Sequence, residues 1–187
     1  MDSFLFCILL VFAIALGGRD QLLVARLSDQ LEQSSQLLIV GGLCAFISAG
    51  VMAFAGATMA EILPPRAADM LVAFALAIAA FELFWPARIK PMDEPTRSLG
   101  SIGIVLLARQ MGDAARFVVF AFAAEATYPL VTFLGGGMGG AAAIGLGWMT
   151  GTVLEAKVPL RQIRLAFAVC LIIAAVLIGL NARYTFI

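Results

Sequence analysis

The 187-residue sequence contains no histidine, only three cysteines, and charged residues amount to 13% of the chain. Without histidine the commonest protein ligand for transition metals is missing, as is the side chain whose ordinary titration range lies near neutrality. Metal or proton chemistry would therefore fall to carboxylates. No nucleophile-and-base pair is visible and few general bases remain, so an enzyme is not expected, and no cofactor motif is present. Formal net charge is zero and the chain has no basic stripe interleaved with aromatics, which leaves nucleic-acid binding without a basis. Cys7, Cys44 and Cys170 stand singly inside apolar runs and read as small buried hydrophobes.

What the chain has in abundance is apolar surface: 63% of its residues are hydrophobic, far above a soluble globular domain. Six segments of spanning length can be marked, at about 3–27, 36–60, 67–86, 98–124, 134–155 and 162–182. The first begins "FLFCILLVFAIA", with Ala13 and Ala15 placed as in a signal-peptide cleavage site, but its flank carries Asp2 instead of a positive charge, so it is read as a span. The clearly polar stretch "PARIKPMDEPTR" occupies the middle of the chain and marks a loop over 87–97.

A shift of 95 residues, with no gap, superposes the second half on the first. Gly17 falls on Gly112, Gly41 and Gly42 on Gly136 and Gly137, Gly50 on Gly145, Gly56 on Gly151, Pro64 on Pro159 and Arg66 on Arg161. Glycine and proline coincide by chance less readily than alanine or leucine. The expected architecture is one all-α membrane domain in which repeat one (about 1–87) and repeat two (about 98–187) each contribute three spans. An odd number of spans reverses the second copy, giving a six-helix 3+3 inverted repeat of the kind secondary transporters use to build a midplane site. Arg26, Arg88, Lys90, Arg97, Lys157, Arg161 and Arg164 flank one face and Arg66 and Arg183 the other, which assigns the first face to the cytoplasm and both termini to the opposite side.

Two spans carry charges at depth, where an ionised side chain costs about 2.5–3.5 kcal/mol on insertion scales and usually faces a bundle interior. In "ALGGRDQ" (15–21) these are Arg19 and Asp20; in "RQMGDAAR" (109–116) they are Arg109, Asp113 and Arg116. The two patches are equivalent under the repeat. On a continuous helix Arg109, Asp113 and Arg116 would share one face and pair locally. Gly17 and Gly112 fit either a local break or close helix packing at this level. Glu82, Glu61, Glu125 and Glu155 read as interfacial charges at helix ends, and Trp85 and Tyr184 as interfacial anchors. In the glycine run 135–151, Gly136 with Gly140 and Gly147 with Gly151 form small-xxx-small pairs suited to tight packing.

At these residues the sequence resembles the Gdt-one family of manganese/calcium–proton exchangers within the LysE transporter superfamily. "ALGGRDQLL" and "QMGDAARF" look like worn copies of that family's two ExGDKT or ExGDRT motifs, "EILPPR" and "KVPLRQIR" like its helix entries, and "GGGMGGAAAIGLGWMTG" like its fifth helix. The resemblance implies a bacterial inner-membrane exchanger of a divalent cation for protons. It also implies a cation site made by four carboxylates at the repeat interface, whose positions here are Ala15, Gly18, Gln110 and Asp113. One carboxylate of the four is retained, making Asp113 the expected metal ligand, with Gln110, Asp20 and Gln21 as further ion-binding groups and Gly17, Gly18 and Gly112 as backbone and packing positions. Arg19, Arg109 and Arg116 against Asp20 and Asp113 sum to +1, a sign that disfavours a bare divalent cation. Two alternatives follow: a transporter of the same architecture turned to an anion or zwitterion, and a non-transporting partner subunit that oligomerises with an intact homologue. Lipid is the expected surrounding in every case.

Overall fold

The computed structural model describes residues 2–31, 34–87 and 98–184. Among these the chain is helical throughout, with α1 (Asp2–Ala15), α2 (Arg19–Gln30), α3 (Ser35–Ile62), α4 (Pro65–Phe84), α5 (Leu99–Met111), α6 (Ala114–Glu125), α7 (Pro129–Thr150), α8 (Val153–Lys157) and α9 (Leu160–Tyr184). The helices α3, α4, α7 and α9 are each long and apolar enough to cross a bilayer, and α1 with α2 makes a fifth candidate bent by 68°. The molecule is an all-α integral membrane protein. Most of the 87–97 loop, including Arg88, Lys90 and Arg97, lies outside the described residues.

The spans expected as single helices over 3–27 and 98–124 are both interrupted, and the cause differs between them. Gly17 adopts φ 72°, a left-handed conformation that ends α1 and that side chains with a β-carbon resist. At the second break Gly112 keeps a negative φ of −98°, and Asp113 restarts the chain as the N-cap of α6, its carboxylate accepting from the Ala115 N–H at 3.2 Å. The expected fifth span, 134–155, begins earlier, at Pro129, and stops at Thr150. Gly151 turns the chain there with φ 54°, and the Asp29 carboxylate of α2 takes the Thr152 N–H at 2.9 Å and its hydroxyl at 2.7 Å, opening α8. Replacing Asp29 with alanine should lower stability by about 1 kcal/mol, the net worth of a typical hydrogen bond, read as a small drop in the thermal midpoint of the purified protein.

Packing runs mainly between the two halves of the chain. Helix α3 lies along α7 and α4 along α9, while α1 packs on α7, α5 on α3, α2 on α7, and α6 on both α3 and α4. Alanines and glycines at the crossings allow this closeness, with Ala45, Ala49, Ala79, Ala80, Ala114 and Ala115 among the fully buried residues. A β-carbon on Gly136 would strike Val119, and one on Gly147 would stand 2.8 Å from the Gln21 carbonyl, so both expected small-residue pairs include a contact glycine, while Gly151 serves a turn. The outer surface is apolar, with Phe54, Phe74, Phe81 and Ile104 exposed as suits lipid. Cys7 and Cys44 are buried, but Cys170 faces outward from α9, where the lipid-facing side of a helix accepts a small hydrophobe as readily as the core does.

Candidate functional site

Broken helices inside a membrane leave backbone groups that water cannot satisfy, so the partners at each break reveal what the fold has built there. At the first break the Gly17 N–H donates to Gln21 Oε1 at 2.7 Å, and Gln21 Nε2 donates to the Ala143 carbonyl of α7 at 2.8 Å. The Gly17 carbonyl accepts from Arg164 Nη1 at 3.3 Å. Gln21 is fully buried and both ends of its amide are used, which makes it a brace between the break and α7. At the second break the Asp113 N–H bonds to the Gln110 carbonyl at 3.1 Å, and Gln110 itself is fully buried, with Oε1 accepting from Ser48 Oγ of α3 at 3.2 Å. Its Nε2 has no hydrogen-bond partner.

The breaks bring the two inner carboxylates together. A β-carbon built on Gly18 would lie 2.7 Å from Asp20 Oδ1 and 3.4 Å from Asp113 Oδ1, so the two side chains share the small space over Gly18. Both residues are about 95% buried, and Asp20 Oδ1 has no donor. Each carboxylate stands in the first turn or at the cap of a half-helix, where the positive end of the helix dipole favours negative charge. Glycine at 18 is what leaves this space open. Beside the pair is a cavity of about 440 Å³ whose wall includes Arg19, Asp20, Glu82, Arg109, Gly112 and Asp113.

Three sequence expectations are corrected here. Arg109, Asp113 and Arg116 do not share one helix face, because the break at Gly112 interrupts the helical phase; among the described residues Asp113 forms no ion pair with either arginine. Asp113 caps α6 instead, and Arg116, only 2% exposed, turns to α7, where Nη1 donates to the Gly136 carbonyl at 3.2 Å. Gly140 makes room for that guanidinium, which a β-carbon there would overlap. Second, Glu82 is not simply a charge at a helix end. It lines the cavity and is gripped by Arg164 Nη2 at 3.2 Å from Oε2, with Arg19 Nε 3.9 Å from Oε1. Third, the cavity wall holds Asp20, Asp113 and Glu82 with Arg19 and Arg109, while Arg116 stands away from it and Arg164 pairs with Glu82.

Arg164, one of the charges that the sequence assigns to the cytoplasmic flank, has a structural role at the first break. It is 4% exposed and donates to the Gly17, Glu82 and Trp85 carbonyls as well as to the Glu82 carboxylate. The signal available was its position one turn into an apolar helix, four residues after Leu160, which packs on Gly17.

Residues 98–185, the half of the chain that carries Asp113, match the family model of the divalent cation/proton antiporter GDT1. Over that stretch the chain is similar to the GDT1 family. Comparison with curated proteins and with solved structures found no match. The GDT1 family is a family of transporters, which agrees with a non-enzymatic, membrane-embedded role and with a divalent cation as substrate. No group of three or more acidic or cysteine side chains that could hold a metal stands together among the described residues.

Proposed function

We propose that this protein is a secondary antiporter that exchanges a divalent cation, manganese or calcium, for protons, and that Asp113 and Asp20 form the centre of its site. The observation that carries this reading is the meeting of the two carboxylates over Gly18, at paired helix breaks beside a cavity. A hard divalent cation requires oxygen ligands carrying enough negative charge to replace its hydration, and two carboxylates at half-helix starts supply the charge. Protons compete with the cation for the same oxygens, so loading one releases the other, which is the stoichiometric basis of exchange. Gln110, held by Ser48, adds neutral polar atoms at the same level; Gln21, Gly17 and Gly112 set the backbone. Arg19 and Arg109 temper the wall charge, and Arg116 holds α6 to α7.

The reading includes a 3+3 inverted repeat with both termini on the non-cytoplasmic side of a bacterial inner membrane. Support comes from matching helix limits: α2 (Arg19–Gln30) and α6 (Ala114–Glu125) stand 95 residues apart at both ends, and α4 and α9 begin at Pro65 and Leu160. Close approaches also recur. Gly139 of α7 abuts the Ile8 carbonyl of α1, and the equivalent Cys44 of α3 donates to the Gly103 carbonyl of α5 at 3.5 Å.

The test is flux in liposomes. With purified protein and an imposed proton gradient, manganese(II) or calcium(II) should accumulate against its own gradient and collapse when the proton gradient is dissipated. Flux of an anion or zwitterion in place of either cation would favour the arginine-based alternative. Activity restored only on co-reconstitution with an intact homologue would favour the partner-subunit alternative.

A further inference from the structure

Glu82 belongs to neither worn motif, yet it is the third carboxylate of the cavity, and its partners are arranged unusually. Arg164 spreads its guanidinium over the carbonyls of Gly17, Glu82 and Trp85, at 3.3, 3.1 and 3.5 Å, as well as over the Glu82 carboxylate at 3.2 and 3.3 Å. Nη1 serves the Gly17 carbonyl, and the two hydrogens of Nη2 are shared among the Glu82 and Trp85 carbonyls and the Glu82 carboxylate, so carbonyl acceptors remain for the guanidinium if the carboxylate moves. Arg19 contributes only a long contact of 3.9 Å, and its buried Nε makes no hydrogen bond. Across the same cavity Asp20 Oδ1, on a side chain about 95% buried, has no donor among the described residues. Asp20 and Asp113 offer at most four carboxylate oxygens, short of the six or more that a calcium-like ion takes. Glu82 is the nearest further carboxylate at the cavity wall.

We propose that Glu82 is a cation-binding residue that changes partners, held by Arg164 and Arg19 in the empty site and ligating the divalent ion in the loaded one. Arg164 is the positioning residue: it joins Glu82 to the carbonyl of Gly17, so the change of partner is felt at the α1–α2 break. The proposal rests on the antiporter reading and deepens it, replacing charge that the motifs have lost at Ala15, Gly18 and Gln110 with charge from α4.

The experiment measures equilibrium binding of radioactive manganese(II) to the purified full-length protein and, in parallel, proton-driven manganese(II) uptake into liposomes. Glu82→Gln should raise the dissociation constant and KM about tenfold, the factor equal to 1.4 kcal/mol, with the maximal rate largely kept. Glu82→Asp should retain most of the affinity. Arg164→Gln should instead lower the maximal rate more than the affinity. A monodisperse Glu82→Gln protein with wild-type affinity would overturn the assignment while leaving the antiporter reading intact if uptake is normal. Binding that depends on Glu82 in a protein without uptake would keep the assignment and sink the antiporter reading; no binding by the wild type would sink both. Should Glu82→Gln fail to fold, labelling of wild-type Glu82 by a hydrophobic carbodiimide decides: manganese(II) should protect it, and undiminished labelling counts against the proposal.

Discussion

Asp113→Asn should reduce cation–proton exchange to the background of empty liposomes while the protein remains folded. Asparagine keeps the size of the side chain and its oxygen still accepts the Ala115 N–H, so the cap on α6 survives and the break at Gly112 is preserved. What disappears is one of the two charges that meet over Gly18. Asp20 is then the one carboxylate left over Gly18, with Arg19 and Arg109 at the same cavity wall, too little negative charge to replace the hydration of a divalent ion. Asp113→Ala, by contrast, should also lower the thermal midpoint, because it removes the cap. Comparing the two variants by uptake and by thermal unfolding separates the chemical role from the structural one. Retention of uptake in Asp113→Asn would end the carboxylate-pair account of the site.

The second large effect concerns assembly. Gly139→Val should give little or no monodisperse protein in detergent. Its β-carbon would stand 2.6 Å from the Ile8 carbonyl and 3.1 Å from the Phe12 N–H region of α1, backbone atoms that cannot rotate away. Overpacking of this kind typically costs 1–3 kcal/mol, and more where only main-chain movement relieves it. Gly145→Val makes a suitable comparison, since its nearest neighbour is a leucine methyl at 3.8 Å. It should be recovered near the wild-type yield, and size-exclusion profiles of the two variants would check the contrast.

The apolar composition made the class of protein plain, and the constant shift of 95 residues located both charged patches. The helix breaks were only half legible. Gly17 and Gly112 offered them, but glycine at a helix crossing looks the same in sequence as glycine at a turn, and the partners that fix the first break, Arg164 and the Ala143 carbonyl that braces Gln21, lie more than a hundred residues away. The local pairing expected of Arg109, Asp113 and Arg116 failed because spacing arguments presuppose a continuous helix. The partner of Glu82 was illegible for a related reason: it stands near the end of an apolar helix, and only the docking of α9 against α4 carries Arg164 to it. The α7 boundary was missed because a turn at Gly151 depends on Asp29, more than a hundred residues away.

The exchange of contacts across the midpoint has a consequence for how the chain is made. Within each half the helices touch one another sparingly, whereas α1, α3 and α4 find their main neighbours in α7, α5, α6 and α9. Residues synthesised first must therefore wait in the bilayer, inserted but without tertiary companions, until the later ones emerge. A free-standing copy of either half would be driven to dimerise, and splitting the gene at the central loop should succeed only when both fragments are produced in the same cell.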